Sequence, residues 1–286
     1  MKTRSTLTWH EAQPRFNTRC FDAIRDNLNR LNIDHWPSVD ALNIDACKLK
    51  ISNHRGHPIR FVTPTDDEAM ASHYETRIAE TGEIATRENW HDFFNAMQWL
   101  TFPKTKSAIS EMHARLLLVK PHDANKVRSI PRDVLTLFDE GGMVVASADE
   151  TLLNHIRDFE WRKLFVERRS AASSNMMFYL AGHSVLEKML DPFVGVTAKA
   201  LLLNVDENFF SQSHATQIAE IDSRAAAWLM NEASLASTRN LHPLPILGIP
   251  GWFAANESPS FYDDAHYFRS GYSRDRAKSP IENESA

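Results

Sequence analysis

Apolar residues recur at helical spacing along most of the chain, and only a few short runs alternate between apolar and polar positions. The most aromatic stretch predicts a helix that begins after Asn89, which can cap it, and ends before Pro103. One broad face of this helix contains Trp90, Phe93, Phe94, Met97 and Leu100. A second helix over about 105–118 follows, so the region at about 89–118 predicts an αα-hairpin.

A few short segments predict strands. In the run 58–62 apolar and polar residues alternate, and turn-forming residues bound the run on both sides. The run 134–146 has Asp-Glu-Gly-Gly at 139–142, a pattern typical of a β-hairpin with a tight turn. The apolar runs 176–180 and 200–205 fit either a strand or a buried helix. Together these patterns predict an α+β fold, a helix-rich single domain with a small mixed or antiparallel sheet.

The two ends of the chain differ in character from the middle. Apolar positions in 1–50 predict a helical cover, whereas prolines and aromatic residues in 242–269 predict an irregular arm that wraps the domain. The last residues, 270–286, are polar and charged, which predicts a disordered tail. We therefore expect one globular domain over 1–269.

Composition narrows the choice of partners. The formal net charge is −5 and basic residues are dispersed among acids, which argues against nucleic acid as a partner. No signal-peptide pattern and no long apolar run is present, so the expected location is the cytoplasm, with no membrane association. Cys20 and Cys47 lack the spacing of a zinc site or a disulfide framework. The oligomeric state does not follow from the sequence.

A polar stripe runs beside the apolar face of the first hairpin helix. His91, Asn95 and Gln98 stand at positions i, i+4 and i+7, so they share one side of the helix. An imidazole with an amide one turn away is suited to act as a general base with its orienting group, or to bind a ligand. In the alternative interpretation, His91 only bonds a neighbouring loop.

A second candidate group lies on a predicted helix over 182–190. His183 and Glu187, at i and i+4, can bind one divalent metal ion or pair with each other. A catalytic zinc site needs three protein ligands, so a metal at His183 and Glu187 requires His113 or His91 from the hairpin. Ordinary packing is the alternative for the pair, and His113 on an apolar face is also typical of a buried core histidine.

Charged residues near these groups have two interpretations each. Arg87 and Arg132 are suited to bind a carboxylate or phosphate of a ligand, or to pair with neighbouring acidic side chains. Asp139, with Glu140, is either an acid pair near a site or part of a turn. The chain has no GxGxxG, P-loop, GxSxG or HExxH motif, which argues against the familiar nucleotide-binding folds and serine hydrolases.

Several segments, in order along the chain, resemble a bacterial family known as DUF3025, a domain of unknown function. They are 74–83, 86–96, 101–106, 132–140, Gly182 and His183 with Glu187, 243–252 and 261–264. The resemblance spans roughly residues 55 to 270. It implies no activity, because none is established for the family.

The leading functional hypothesis is a hydrolase or lyase that acts on a small polar metabolite. In it, His91 and His183 transfer protons and Glu187 orients them, while Arg87, Asn95, Gln98, His113, Arg132 and Asp139 contribute to ligand binding. The rival hypothesis is a non-catalytic binding or protein-interaction module that uses an exposed aromatic patch at Trp252, Phe261 and Tyr262.

Overall fold

The computed structural model describes residues 5–31, 34–64, 74–119 and 129–271. The α-helices in these ranges are α1 (Trp9–Ala12), α2 (Arg25–Leu31), α3 (Val39–Lys48), α4 (Tyr74–Thr81), α5 (Trp90–Thr101), α6 (Pro103–Val119), α7 (Ile130–Gly141), α8 (Glu150–Arg157), α9 (Arg169–Asn175), α10 (His183–Met189) and α11 (His214–Leu229). The strands are β1 (Arg60–Val62), β2 (Glu83–Ala85), β3 (Gly142–Ser147), β4 (Met176–Leu180), β5 (Thr197–Asn204) and β6 (His242–Pro245). The architecture is α+β and helix-rich, as predicted.

A four-stranded mixed sheet forms the centre of the molecule, in the order β4-β3-β5-β6. Strands β3 and β5 are parallel, whereas β4 and β6 pair antiparallel to their neighbours. Strand β6 contains Pro243 and Pro245, which suits an edge position because proline cannot donate to a ladder. The two ambiguous apolar runs of the sequence are therefore strands, β4 and most of β5.

Two apolar layers cover the two faces of this sheet. All six residues of β3 are buried, and their alternation directs Met143 and Val145 to one layer and Val144 and Ala146 to the other. The first layer also contains the aromatic face of α5, and the second contains residues of α6, α7 and α11. Because a central strand with two covered faces needs no polar positions, its sequence is uniformly apolar or small.

The β-hairpin predicted over 134–146 is wrong. Residues 130–141 form helix α7, in which Val134, Leu135 and Phe138 are buried at helical spacing. The predicted tight turn needs glycines with positive φ, and neither Gly141 nor Gly142 has positive φ. Gly142 is extended and ends the helix. Only the second half of the predicted hairpin is a strand, β3.

The predicted strand at 58–62 exists as β1 but does not join the central sheet. It pairs in parallel with β2, and this separate two-stranded sheet was not expected from the sequence of 83–85. Helices α5 and α6 follow each other with only Phe102 between them, and they contact each other less than α6 contacts other helices. Helix α6 then packs chiefly against α4 and α11.

Residues before 50 contribute to the principal core. The indole of Trp9 stacks on that of Trp90 with ring centroids 5.2 Å apart, and Phe16 and Phe21 pack on Phe94. Much of the helical cover predicted for 1–50, including 13–17 and 19–24, is 3₁₀-helical. Its buried rings cover the aromatic face of α5.

The C-terminal arm, 242–269, consists of β6 and short 3₁₀ turns held by tyrosine hydroxyls. Tyr267 Oη donates to the Val196 carbonyl oxygen (2.7 Å), and Tyr262 Oη donates to that of Gly248 (2.8 Å). Trp252 and Tyr262 are buried and Phe261 is half-buried, so the exposed aromatic patch required by the rival hypothesis is not formed. Most of the predicted disordered tail, 272–286, lies outside the described residues.

Within the described ranges, no helix combines the length and apolar character needed to cross a bilayer.

Candidate active site

Two histidines from distant parts of the chain meet between α5 and α10. Nε2 of His91 lies 3.0 Å from Nε2 of His183, and the ring planes are nearly perpendicular (87°). His183 is buried, whereas the His91 side chain is 28% exposed. The pair therefore has one interior member and one member that solvent or a ligand can reach.

Each imidazole has a carboxylate on its outer side, which is the Nδ1 side, away from the contact between the two Nε2 atoms. Asp92 Oδ1 is 3.0 Å from Nδ1 of His91, and Asp139 Oδ2 is 3.6 Å from Nδ1 of His183. A third carboxylate, Glu140, lies on the inner side, with Oε2 3.6 Å from Nε2 of His183. His91, Glu140 and His183 form a set of three groups whose ligand atoms lie within 4.8 Å of one another.

Capping of α5 determines the position of His91. Asn89 has extended backbone angles and its side-chain oxygen accepts a hydrogen bond from the Asp92 amide (2.9 Å), which begins the helix. Asp92 Oδ2 in turn accepts from the Arg87 amide (2.9 Å). With one oxygen held by the backbone, the other oxygen of Asp92 faces the adjacent His91 ring.

A close backbone approach positions His183. The amides of Ala181 and Gly182 both donate to the Gly142 carbonyl oxygen at 2.9 Å. A Cβ atom on Gly182 would lie 2.4 Å from the Gly142 nitrogen and 2.6 Å from the Glu140 carbonyl oxygen, so only glycine fits there. This contact places the first residue of α10 beside the last turn of α7, where Asp139 and Glu140 lie.

The N-terminal segment ties the two histidine-bearing helices together. The Ser5 amide donates to Glu187 Oε1 on α10 (3.0 Å). The indole Nε1 of Trp90, at the start of α5, donates to the Leu7 carbonyl oxygen (2.8 Å). Residues 5 and 7 thus contact one helix each, close to the site.

A buried lysine balances the charge of Asp139. Lys106 on α6 forms an ion pair with Asp139 Oδ1, and both residues are buried. Burial alone would raise the pKa of Asp139, but the charge of the Lys106 ammonium and its hydrogen bond to Asp139 lower that pKa below its usual value. Asp139 is therefore an ionised acceptor beside His183.

Burial has the opposite consequence for His183, because it disfavours the charged ring. It lowers the pKa of His183 to about 4; Asp139 and Glu140 oppose this shift, and Lys106 and His91 add to it. At neutral pH the His183 ring is thus uncharged. A neutral imidazole has a lone pair on one nitrogen, which can accept a proton or bind a metal ion.

Helix α4 adds a further carboxylate next to this group. Burial raises the pKa of Glu75 to about 7, and the charge of Asp139 adds to the rise, whereas Lys106 and Ser110 oppose it. Glu75 Oε2 accepts a hydrogen bond from Ser110 Oγ (2.7 Å). A carboxyl group with a pKa near neutrality is suited to proton transfer.

The structure brings together some of the predicted site residues and not others. Asn95 and Gln98 are buried on the predicted stripe; Asn95 donates to Tyr74 Oη (3.0 Å) and Gln98 to the Leu180 carbonyl oxygen (3.2 Å). Within the described ranges, no hydrogen-bond partner is found for Asn95 Oδ1, Gln98 Oε1 and Nδ1 of His183. Buried acceptors without partners are uncommon in folded proteins and often mark functional positions.

The pairing predicted for Glu187 requires a correction. Although His183 and Glu187 are both buried on α10, the Glu187 carboxylate accepts from Ser5, and Glu187 is not in the converging set with His91 and Glu140. His113 is also outside that set, although it is buried and close enough to lower the pKa of Asp139. The carboxylate that converges with His91 and His183 belongs to Glu140 and not to Glu187.

The two predicted arginines differ in their surroundings. Arg87 is half-exposed, its Nη1 is 3.5 Å from Asp92 Oδ2, and it lines a cavity of about 510 Å³ together with Trp36 and Phe93. Arg132 has a buried Nε for which the described residues offer no hydrogen-bond partner. Only Arg87 is linked by these contacts to the histidine pair.

Sequence reasoning missed Lys106, Glu75 and the role of Asp92 behind His91. Glu140 was predicted, with Asp139, to be either an acid pair near a site or part of a turn, and that turn does not form. No pattern in the sequence indicates that Lys106 is buried, because a lysine on a helix is normally expected to face solvent.

Comparison with protein families shows which family this chain belongs to. A family described as "Protein of unknown function (DUF3025)" matches residues 59–272. The chain belongs to the DUF3025 family. Comparisons with curated proteins and with solved structures returned no match. In this DUF3025 protein, His91, Glu140 and His183 all lie within the matched region.

Proposed function

We propose that this DUF3025 protein is a hydrolase or lyase that acts on a small polar metabolite at the His91–His183 pair. The observation that carries the proposal is the 3.0 Å contact between the two Nε2 atoms, with a carboxylate behind each ring. Asp92, within hydrogen-bond distance of Nδ1 of His91, is placed to orient this imidazole and to increase its basicity. Both reaction classes need a base of this kind.

The surroundings of the pair support a division of roles. His183 is buried and neutral, so its position is fixed, whereas His91 and Glu140 are partly exposed and accessible to a substrate. Ser184 Oγ donates to Glu140 Oε2 and holds this carboxylate beside His183. Arg87, on the cavity side of Asp92, is suited to bind an anionic group of the metabolite.

Location and partners remain part of the proposal. We propose the cytoplasm as the location and a small-molecule ligand rather than nucleic acid as the partner. The rival function, a binding or protein-interaction module, is less well supported, because Trp252 and Tyr262 of the aromatic arm are buried.

Conversion of metabolites by purified protein tests the proposal. Untagged protein is incubated with a polar metabolite extract in H₂¹⁸O and the extract is followed by mass spectrometry. We expect at least one metabolite to be consumed by wild type and by His155→Gln, and none by His91→Gln. His155 is a suitable control because its Nδ1 also faces a carboxylate, Glu160 Oε2 at 2.7 Å, on a different helix.

The oxygen label separates the two reaction classes. A hydrolase incorporates solvent ¹⁸O into a product, whereas an elimination by a lyase does not. Consumption that is equal in wild type and His91→Gln, or absent in both, would contradict the proposed function.

A further inference from the structure

The two imidazoles bring their Nε2 atoms to within 3.0 Å of each other. An ionised carboxylate only accepts hydrogen bonds, so Asp92, at 3.0 Å, favours a proton on Nδ1 of His91. The buried Nδ1 of His183 has no hydrogen-bond partner among the described residues, and Asp139 Oδ2 lies 3.6 Å from it, so a proton on this nitrogen faces a negative charge. With a proton on each Nδ1, both neutral rings direct an Nε2 lone pair toward the same region.

Those lone pairs repel each other unless a cation stands near both. They are 3.0 Å apart, and Glu140 adds a negatively charged oxygen 3.6 Å from Nε2 of His183. Two nitrogen donors and one carboxylate thus converge, with two more carboxylates close behind. A single proton between the rings would satisfy the two nitrogens, but it would not explain why the Glu140 carboxylate lies beside them.

The angle between the rings favours a shared ion over a straight hydrogen bond. A collinear bond at the observed nitrogen distance would put the ring centroids about 5.3 Å apart, whereas they are 4.5 Å apart. The rings are therefore bent toward each other. Two ligand nitrogens about 2.1 Å from one ion are about 3.0 Å from each other at the right angles of octahedral coordination and about 3.4 Å at tetrahedral angles; the 3.0 Å contact matches the octahedral spacing.

We infer that His91, His183 and Glu140 bind one divalent first-row transition-metal ion. This inference deepens the proposed function and rests on the same residues. Two imidazoles and one carboxylate favour zinc, iron or manganese over magnesium and calcium, which prefer oxygen ligands alone. Three protein ligands leave at least one coordination position for water or substrate, on the side where Glu140 is 46% exposed.

Asp92 and Asp139 have the positions of the groups that orient metal-bound histidines. A histidine that binds a metal through one nitrogen usually donates its other N–H to a carboxylate. His91 and His183 both have a carboxylate on that side, at 3.0 Å and 3.6 Å. Lys106 forms an ion pair with Asp139 and compensates its charge where both residues are buried.

Metal titration of untagged, chelator-treated protein tests the inference. Zn²⁺ and Mn²⁺ are titrated by calorimetry, and Co²⁺ is followed by its visible absorption, which reports nitrogen and oxygen ligands directly. We expect one saturable site per chain for at least one ion. Glu140→Gln should weaken that binding at least tenfold, and His91→Gln should abolish it.

Two matched variants control for general effects of the substitutions. Glu150→Gln changes a carboxylate of similar exposure, 50% against 46%, on another helix, and His155→Gln changes a histidine that faces a carboxylate. Both should bind metal as wild type does. No saturable binding, or unchanged affinity in Glu140→Gln or in His91→Gln, would overturn the inference.

Failure of this inference can be distinguished from failure of the proposed function. Metal binding is measured without a substrate, and metabolite conversion is measured without added metal. Absence of metal binding together with conversion that depends on His91 would leave the acid–base function standing alone.

Discussion

Helix α5 has two buried faces, and they differ in how completely their polar atoms find partners. On the aromatic face, Trp90 packs against Trp9, Trp36 and Phe93, and its indole N–H is bonded to the Leu7 carbonyl oxygen. On the polar stripe, Asn95 Oδ1 and Gln98 Oε1 are buried without a hydrogen-bond partner among the described residues. The aromatic face has what stability requires, whereas the stripe keeps polar atoms that a stable core alone would not need.

The difference separates two kinds of buried residue on one helix. An aromatic ring contributes through the area that it removes from water and through contacts with other rings. An ionisable group in the interior opposes folding unless charges and hydrogen bonds compensate it. Substitutions on the two faces should therefore separate stability from binding.

The largest expected effect is on the aromatic face. Trp90→Ala should lower the free energy of unfolding by about 5 kcal/mol, at the upper end for such changes, because the ring is surrounded by other rings and also loses the bond to Leu7. Urea unfolding measures this loss. Leu118→Ala, at a side chain 74% exposed on α6, should change stability by less than about 0.5 kcal/mol. Comparable losses in the two variants would mean that the packing of Trp90 contributes no more to stability than an exposed side chain does.

A loss of about 3–5 kcal/mol is expected when the buried ion pair behind His183 is broken. Lys106→Met leaves the Asp139 carboxylate buried without its cation. Lys106→Met combined with Asp139→Asn should recover part of this loss, because no uncompensated charge remains. Unfolding of the two single variants and the double variant measures the coupling. Additive losses would mean that the pair is not coupled.

A smaller loss, about 1–3 kcal/mol, is expected from one added methyl group at the contact of α7 and α10. Gly182→Ala places a Cβ where backbone atoms already lie at 2.4 and 2.6 Å, so the chain must shift and His183 with it. Gly141→Ala is the matched control, since a Cβ there meets nothing within 4 Å. Thermal unfolding and metal titration of both variants should show losses in the first alone. Equal behaviour would mean that the close approach does not position His183.

The sequence predicted the fold where local pattern and tertiary context agree. The cap at Asn89 and the aromatic spacing of α5 were sufficient for that helix, and the structure contains it with the predicted cap. At 134–141 two patterns competed, an apolar run before a double glycine and an apolar spacing of i, i+1 and i+4. The helix forms because the spacing buries Val134, Leu135 and Phe138 on the sheet, which no local turn preference can offset.

Part of the candidate site followed from the sequence as well. His91 and His183 were expected to act together, and they lie in contact although 92 positions separate them. Glu187 was chosen over Glu140 because i and i+4 spacing is visible in a sequence, whereas a glycine contact between two backbones is not. The ring of His183, as the first residue of α10, meets α5 and α7 instead of the next turn of its own helix.

The hydrogen bonds made by Ser5 and Leu7 have a practical consequence for handling this protein. Both residues precede the region that matches the DUF3025 family, yet one bonds the histidine helix α10 and the other bonds the first turn of α5. The segment that precedes the family region therefore links α5 and α10 by two hydrogen bonds. A purification tag should therefore be placed at the C-terminal end, away from Ser5 and Leu7. A protein trimmed to residues 59–272 would lose both hydrogen bonds.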